Sequence, residues 1–191
     1  MNNPFIVDQT FKGQDFTQNR LPKGDYENCL FKGCNFSDGY LDNQNLMECG
    51  FVDCNLSNAN IAHTVFYGVS FSHCKMMGLK FGDCNDFLMT FSFTDCTLNF
   101  STFYRLKLKG IQFMECKLIA VDFTETELTG TSFHRCDLES AIFYDSILEW
   151  ANFMTAINFN IDPEQNRLKK ARFSKDTIGG LLLKYDLEIS K

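Results

Sequence analysis

The chain has 191 residues and a formal net charge of −6, and it contains 21 Phe, nine Cys and a single Trp. This length suffices for one domain with a sizeable core, and the negative charge excludes, on global grounds, a basic protein that binds nucleic acid directly. The N-terminus MNNPFIVDQTFKGQDF has no signal-peptide pattern and no stretch approaches the length of a transmembrane helix. We therefore expect a cytoplasmic protein with reduced thiols and no membrane contact.

Large apolar residues recur at every fifth position through the first half of the chain. Neither the period of about 3.6 residues of a helix nor the alternation of a strand produces this spacing. The residue two positions before each of these centres is often small, and the other three positions are mostly polar. The pattern predicts a solenoid in which one large and one small side chain of every five face inward. The centres are Phe11, Phe16, Leu21, Tyr26, Phe31, Phe36, Leu41, Leu46, Phe51, Leu56, Ile61, Phe66, Phe71, Met76 and Phe81.

The second half continues the period in a different frame, with Phe and Leu alternating from Phe93 to Phe153. This alternation repeats every ten residues, which is commensurate with a coil of twenty residues but not with one of fifteen. Phe71 and Phe93 are 22 residues apart, so two extra residues lie between Phe81 and Leu88, where we predict a small bulge or loop. The expected fold is a four-sided rod of roughly seven to eight coils, about 35 Å long.

Small residues form a column of six Cys along the rod. We interpret these Cys as buried packing residues rather than a metal or redox ladder, because no C-x-x-C pair and no converging His accompanies them. Cys84, beside the extra residues, is the one thiol that we expect to be exposed. His63, His73 and His134 fall at outward positions, and a filled rod offers no pocket for catalysis, so we expect no enzyme, no metal and no cofactor. The column is Cys34, Cys54, Cys74, Cys96, Cys116 and Cys136.

The units CNFSD, CNLSN, ANIAH, CKLIA, CDLES and ANFMT resemble those of the pentapeptide-repeat family, and the resemblance covers residues 6 to 158. It implies an all-β solenoid, a right-handed quadrilateral β-helix, which agrees with the four-sided coil inferred from the spacing. We assign residues 1–158 to this β-helix and residues 159–191 to a C-terminal segment for capping and dimerisation.

The C-terminal segment departs from the five-residue period and carries helix signals. Asp162-Pro163-Glu164 combines an N-cap, a Pro at the first helical position and an acidic first turn, so we expect one helical turn there. Ser174 can cap a short helix over roughly 175–185, and residues 187–189 are a candidate strand. Phe173 returns to the frame and can add a last Phe to the column.

Apolar residues in this segment exceed what one cap requires. An open solenoid end exposes apolar core and unpaired strand groups. We expect the additional apolar residues to join two chains through their C-terminal ends as a homodimer. The alternative is that the same residues only cap a monomer. They are Ile178, Leu181, Leu182, Tyr185, Leu187 and Ile189.

The stretch NFNIDPEQNRLKKARFSKDTIGGLLLKYDLEI resembles the C-terminal segment of the Qnr quinolone-resistance proteins and, more closely, that of the microcin-immunity branch. The stretch LNFSTFYRLKLKGIQF also resembles the middle of the immunity type. The resemblance implies a protein that acts on DNA gyrase by imitating B-form DNA and relieves a topoisomerase poison. Qnr proteins carry projecting loops, whereas only the extra residues near Cys84 to Phe87 are available here, so the loop-poor immunity type is the better match.

Acidic residues on the body of the rod supply part of the charge that such mimicry requires, as an acidic bias without a saturated stripe. Residues 1–155 hold 19 Asp and Glu against 11 Lys and Arg, while the remainder holds 5 against 7. Assigned by column, the acidic residues expected to face gyrase lie on two sides of the rod. The alternative is that these charges only keep a Phe-rich rod soluble. They are Asp25, Glu27, Glu48, Glu127 and Glu149 on one side, and Asp15, Asp38, Asp137 and Glu139 on the other.

A second functional interpretation is a non-enzymatic scaffold that binds an unrelated protein partner. Its basis is a set of outward apolar residues in the C-terminal half. Clustered, they would form a protein-contact surface, whereas scattered singly they need no explanation. They are Phe100, Tyr104, Ile119, Tyr144 and Trp150.

Overall fold

The computed structural model describes residues 3–188 as a parallel β-solenoid of about eight turns. Two sheets of short strands run along the rod, one with the order β1-β3-β5-β7 and one with the order β2-β4-β6-β8-β9-β10-β11-β12-β13. The strands are β1 Phe5–Val7, β2 Thr10–Lys12, β3 Asp25–Glu27, β4 Leu30–Lys32, β5 Asn45–Met47, β6 Gly50–Val52, β7 Val65–Tyr67, β8 Val69–Ser72, β9 Phe91–Thr94, β10 Gln112–Met114, β11 Ser132–His134, β12 Asn152–Phe153 and β13 Arg172–Phe173.

Four sides form each coil, as the ten-residue alternation predicts. Phe31 pairs in register with Phe51, and Tyr26 with Leu46, which confirms a coil of twenty residues. Isolated parallel bridges connect the coils on the remaining sides. We name each side after a centre residue. The Phe11 face has the centres Phe11, Phe31, Phe51, Phe71, Phe93, Phe113, Phe133, Phe153 and Phe173; the Phe16 face has Phe16, Phe36, Leu56, Met76, Leu98, Leu118 and Leu138; the Leu21 face has Leu21, Leu41, Ile61, Phe81, Phe103, Phe123 and Phe143; and the Tyr26 face has Ile6, Tyr26, Leu46, Phe66, Leu108, Leu128, Leu148 and Leu168.

Stacked Phe rings fill the interior. Phe93 and Phe133 each lie nearly parallel to Phe113, with ring centroids 5.2 and 5.4 Å away. This distance is close to the spacing of about 4.8 Å between hydrogen-bonded strands. Phe123, on the Leu21 face, meets Phe113 edge-on at 6.0 Å and 77°, which is a favourable aromatic geometry. Two columns of Phe therefore pack at right angles, and Leu of the other two faces occupies the remaining space.

Where the small inward residue is Cys, Ser or Thr, it supplies a hydrogen-bond donor as well as a small volume. Thr126 Oγ1 donates to the carbonyl oxygen of Phe103 at 2.8 Å, and Cys54 Sγ donates to that of Phe31 at 3.3 Å. Each donor thus adds a hydrogen bond to the carbonyl of a centre residue in the preceding coil, and the Phe103 carbonyl also accepts the Leu106 amide at 3.1 Å. Burial raises the pKa of the Cys49 thiol to about 11, so this thiol stays protonated and can donate to the carbonyl oxygen of Tyr26, 3.4 Å away.

The outward residue two positions after a centre adopts a left-handed backbone at nearly every corner. Asn28 and Asp38 have φ of 50° and 52°, a conformation that Asn, Asp and Gly tolerate better than other residues. This requirement explains the frequent Asn, Asp and Gly at these positions. Leu88, Phe100 and Trp150 are bulky exceptions with the same backbone.

The two extra residues form a loop after Asn85. Asn85 still bridges to Val65, and the ladder resumes where Val69 pairs with Phe91. A 3-10 helix, η1, covers Phe81–Asp83 just before the loop.

The prediction that Cys84 is exposed is wrong. Cys84 precedes the inserted residues, retains the small inward position and donates to the carbonyl oxygen of Ile61 at 3.3 Å. Burial raises the pKa of its thiol. The large apolar residues that the loop exposes are Phe87 and Leu88.

The C-terminal segment differs in detail from its prediction. Phe173 stacks on Phe153 with a centroid distance of 5.1 Å. The stack of coils therefore continues beyond residue 158. A division of function between residues 1–158 and 159–191 remains a prediction. Instead of one helix over 175–185, the chain forms two 3-10 helices, η2 Ile178–Leu181 and η3 Leu183–Tyr185.

Close packing at the Gly179-Gly180 pair explains this difference. The backbone carbonyl of Gly180 accepts a hydrogen bond from the Ile161 amide, and contact with Phe159 leaves no room for a side chain on Gly180. Glycine in any case weakens an α-helix. Leu187 and Glu188 form no strand, and Ile189 lies outside the described residues.

The donor role of the small position predicts the effect of an isosteric substitution. Thr126→Val keeps the volume but removes one of the two donors to the Phe103 carbonyl, which retains only the Leu106 amide at 3.1 Å, so we expect the free energy of unfolding to fall by about 1 kcal/mol. Urea unfolding followed by circular dichroism measures the change. Thr129→Val, at a half-buried outward position of the same coil, is the matched control and should change stability by less than about 0.5 kcal/mol. Equal effects of the two substitutions would contradict the donor role.

Candidate interaction surfaces

The packed interior leaves the outer surface of the rod as the place for function. Among residues 3–188 there is no group of three or more His, Cys, Asp or Glu that could hold a metal ion. None of the helices in this range has the length and apolar character needed to span a bilayer. His63 and His73 are exposed and His134 is half-buried, all at outward positions as predicted.

Three of the predicted acidic residues lie together on the Tyr26 face, near the N-terminal end of the rod. Asp25 and Glu27 flank Tyr26 on β3, and Glu48 follows β5 in the next coil. Asp8 of the first coil, which accepts a hydrogen bond from Asn28 Nδ2 at 2.6 Å, extends the same surface. Within the described residues no ion pair involves any of these four carboxylates. We call Asp8, Asp25, Glu27 and Glu48 the acidic tract.

The other two predicted residues of this face lie at its C-terminal end and are neutralised. Glu127 forms an ion pair with Lys109 at 3.1 Å, and Glu149 forms one with Arg167 at 2.7 Å. The Tyr26 face therefore changes sign along the rod, from acidic in the first coils to basic in the last ones.

Predicted acidic residues of the Phe16 face are separated into two pairs. Asp15 and Asp38 lie at the N-terminal end, whereas Asp137 and Glu139 lie five coils further on, beyond the outward residue Lys117. Hydrogen bonds of Asp15 to Thr17, chiefly from the backbone amide, hold the pKa of Asp15 below its ordinary value. The structure does not bring these four residues together as one surface.

Assignment of outward positions on only two faces missed a third set of carboxylates, on the Leu21 face, of which Glu125, Asp162 and Glu164 form ion pairs. Arg105 pairs with Glu125 through two hydrogen bonds of 2.7 and 3.1 Å, and its hydrogen bond keeps the pKa of Glu125 below the ordinary range. The same outward-position assignment, applied to this face, would have identified the set. Its members in the C-terminal half are Asp122, Glu125, Asp145, Asp162 and Glu164.

The predicted apolar residues do not form one patch. Tyr104 and Tyr144 lie two coils apart on the Leu21 face, and both are exposed. Phe100 is next to Ile119, and the backbone amide of Phe100 donates to the carbonyl oxygen of Ile119. Ile119 itself is half-buried. Trp150 lies at the corner between the Tyr26 and Phe11 faces, on another side of the rod.

The cap divides its apolar residues between the core and solvent. Leu181 packs against the core and Leu182 is half-buried, whereas Ile178, Tyr185 and Leu187 are exposed. Leu183, which the sequence analysis did not include, is also exposed.

Ion pairs hold the cap to the D-P-E turn. Lys184 Nζ lies 2.6 Å from Asp162 Oδ1 and 2.7 Å from Glu164 Oε2, and the Tyr185 hydroxyl donates to Glu164 Oε1 at 2.8 Å.

Two family models match the repetitive part of the chain. A family model described as a pentapeptide repeat region matches residues 44–123, and a second, described as eight copies of the pentapeptide repeat, matches residues 116–154. A search of curated protein sequences finds no match.

Solved structures share the fold at low sequence identity. A trypsin-treated form of QnrB1, a plasmid-mediated fluoroquinolone resistance protein, superposes with a TM-score of 0.65 at 14% identity, covering 97% of this chain and 100% of that chain. Full-length QnrB1 gives 0.55 at 16% identity, covering 96% and 100%. HetL, a pentapeptide repeat protein involved in heterocyst differentiation regulation from Nostoc sp. strain PCC 7120, gives 0.55 at 16% identity, covering 88% and 86%.

The Lys184 ion pairs predict a cap that loosens in acid. Hydrogen bonds from Lys184 hold the pKa values of Asp162 and Glu164 below their ordinary values. Their contribution to stability is therefore complete above the ordinary carboxyl pKa of about 4 and is lost as the pH falls through the lowered values. Hydrogen-exchange protection factors for residues 178–185, which remove the intrinsic pH dependence of exchange, should fall over this range.

Lys184→Gln should already give low protection at neutral pH, with little further loss in acid. Lys175→Gln, in the same segment, is the control and should behave like the unmodified chain. If Lys184→Gln retains the full acid-dependent loss, the ion pairs do not fasten the cap.

Proposed function

We propose that this chain, which belongs to the pentapeptide-repeat family, acts by binding rather than catalysis, and that its partner is DNA gyrase or a related type II topoisomerase. In this proposal the rod imitates DNA and modulates the enzyme or protects it from a poison. The acidic tract carries the proposal, because four carboxylates that form no ion pair within residues 3–188 present, on a rod of stacked coils, the charge that a basic DNA-binding groove attracts.

The dimensions of the rod support a partial imitation of DNA. The nine stacked strands of the Phe11 face span roughly 38 Å at about 4.8 Å per step. A duplex carries one phosphate per about 1.7 Å, hence roughly 22 over that length. The acidic tract covers only the first three coils, so we propose that these coils enter the groove. The fold shared with QnrB1 and the resemblance of the C-terminal segment add support.

We further propose a homodimer joined at the C-terminal ends. The cap exposes Ile178, Leu183 and Leu187 beside the last coil, and solenoid ends with apolar outer faces favour association. A reducing cytoplasm is the proposed location, because the nine Cys of the chain are free and buried in the structure.

An alternative proposal is a scaffold for an unrelated protein. The observation that favours it is the Leu21 face, where exposed Ile142, Tyr144 and Tyr104 alternate with Asp122 and Glu125. Such a mixed aromatic and acidic surface is suited to a protein partner. Mimicry requires competition with DNA and strong salt dependence, and the scaffold requires neither.

A supercoiling assay with purified gyrase tests the mimic proposal. We expect the chain to restore supercoiling in the presence of a poison, or to inhibit the enzyme in competition with DNA at low salt. The triple substitution Asp25→Asn, Glu27→Gln and Glu48→Gln should raise the half-maximal concentration about tenfold, the change that corresponds to about 1.4 kcal/mol. The matched control is Glu115→Gln, Glu125→Gln and Glu149→Gln, which changes the net charge equally but at carboxylates already paired with Arg.

Two results contradict the mimic proposal. One is no effect of the chain over a wide concentration range, and the other is an equal loss of activity in both triple variants. The first would leave the scaffold as the better proposal.

The dimer proposal is tested by charge placed on the cap. Leu183→Glu and Leu187→Glu together should convert the dimer to a monomer, because two apolar side chains would be replaced by repelling carboxylates. Light scattering coupled to size-exclusion chromatography gives the mass. Phe5→Glu, at an equally exposed position at the opposite end, is the control and should leave the mass unchanged. A monomeric mass for the unmodified chain would refute the dimer.

A further inference from the structure

One corner of the rod, between the Tyr26 and Phe11 faces, is open in its C-terminal half. Its residues there are Gly110, Gly130, Trp150 and Lys170, all with positive φ. A Cβ placed on Gly110 or Gly130 would meet no atom within 4 Å, so no neighbouring group covers the backbone at either glycine. Trp150 is 60% exposed. We call these four residues the Trp150 shelf: two bare glycine steps followed by an aromatic and a cationic residue.

Trp150 occupies a position that does not suit it locally. A bulky residue with φ of 61° is a backbone outlier, and the same corner carries Asp8, Asn28, Glu48 and Gly68 in the first coils. The repeat imposes this backbone at nearly every corner, so what distinguishes Trp150 is a large ring at a position that Asn, Asp or Gly would suit better. Packing does not explain Trp150 either, since most of its surface is in solvent.

Basic side chains flank the shelf. Together with Lys170 of the shelf itself and Arg172 across the corner, the Tyr26-face residues beside the shelf comprise six basic and two acidic side chains. Both carboxylates are neutralised, Glu127 by Lys109 and Glu149 by Arg167. No ion pair within residues 3–188 involves the remaining cations. These are Lys107, Lys169, Lys170 and Arg172.

Polar side chains border the other side of the shelf. Gln112, Ser132 and Asn152 occupy the outward position at the start of successive Phe11-face strands, and Asn152 pairs in register with Arg172. A groove between the loop and the Tyr26 face continues the open path beyond Gly110. The shelf is thus a strip with cations on one side, hydrogen-bonding groups on the other and an exposed aromatic ring at one end.

We propose that the Trp150 shelf binds single-stranded nucleic acid, with an unpaired base stacked on Trp150 and phosphates contacting Lys107, Lys169, Lys170 and Arg172. Stacking on aromatic rings beside a cationic groove is the general mode of single-strand binding. The phosphates of a duplex could also contact these cations. The bases of a duplex are stacked on one another, however, so none of them is free to stack on Trp150. The net charge of the chain obscures this site, because the surplus of carboxylates lies elsewhere. The inference is independent of the proposed action on a topoisomerase.

The single Trp of the chain makes the test direct. Titration with a short oligothymidylate should quench the fluorescence of Trp150 in a saturable manner. The logarithm of the affinity should fall linearly with the logarithm of the salt concentration, with a slope of roughly −3 for four phosphate contacts. The assay contains no topoisomerase, so its outcome is separate from that of the supercoiling assay.

Variants identify the contacts by anisotropy of a labelled oligonucleotide. Trp150→Asn removes the ring but suits the left-handed backbone, so the fold is retained, and it should weaken binding roughly tenfold. The triple substitution Lys169→Gln, Lys170→Gln and Arg172→Gln should weaken binding and flatten the salt dependence. The matched control, Lys12→Gln, Lys23→Gln and Lys32→Gln at the opposite end of the rod, should do neither.

Three outcomes would overturn the proposal. They are the absence of saturable quenching, equal quenching by polyglutamate, and an affinity for duplex DNA that equals the single-strand affinity and does not change in Trp150→Asn. Quenching by polyglutamate would instead identify the surface as a contact for an acidic protein.

Discussion

Parallel hydrogen bonding between equivalent positions of successive coils is the interaction on which the rest of this structure depends. Because Phe113 lies in register between Phe93 and Phe133, each side chain packs against its own counterpart in the next coil. The role of a residue is then set by its place in the five-residue unit. A centre fills the interior, the small inward residue donates to a carbonyl where it is Cys, Ser or Thr, and the corner residue takes a left-handed backbone at nearly every corner.

The same constraint makes the two ends of the rod different. In the first coil that the structure describes, the small position holds Gln9, Gln14 and Asn19 in place of Cys, Ser or Thr. These side chains are polar and exposed, which suits an end in contact with water. The opposite end presents Leu183 and Leu187. This asymmetry supports the proposal that only the C-terminal ends associate.

Most of the fold could be predicted from the sequence, because a strict five-residue period has few solutions. The alternation of Phe and Leu determined the number of sides, and the 22-residue distance from Phe71 to Phe93 located the loop. The burial of Cys84 could not be predicted in the same way, because spacing alone does not say on which side of Cys84 the chain leaves the ladder. The geometry of the cap also depends on a tertiary contact, that of Gly180 with Phe159, which has no signal in the local sequence.

The candidate surfaces were less predictable than the core, since outward positions are not constrained by the repeat. Column assignment placed Asp25, Glu27 and Glu48 correctly on one face, but it could not show that Glu127 and Glu149 are neutralised by side chains of neighbouring coils. Pairing of that kind depends on the rotamers of long side chains, which the period does not determine. Net charge was an even weaker guide, because it averaged an acidic end with a basic one.

The change of sign along the Tyr26 face makes the two proposed sites compatible. Three coil steps separate Glu48 from Gly110, which is roughly 14 Å at about 4.8 Å per step. The Debye length at physiological ionic strength is about 8 Å, so the acidic tract and the Trp150 shelf act on separate ligands with little mutual repulsion or attraction. A rod that entered a basic groove by its acidic coils would leave its cationic corner outside that groove, free to contact a nucleic acid strand. The physical basis of this arrangement is the rigidity of the stacked coils, which keeps the two charges of opposite sign at a fixed separation.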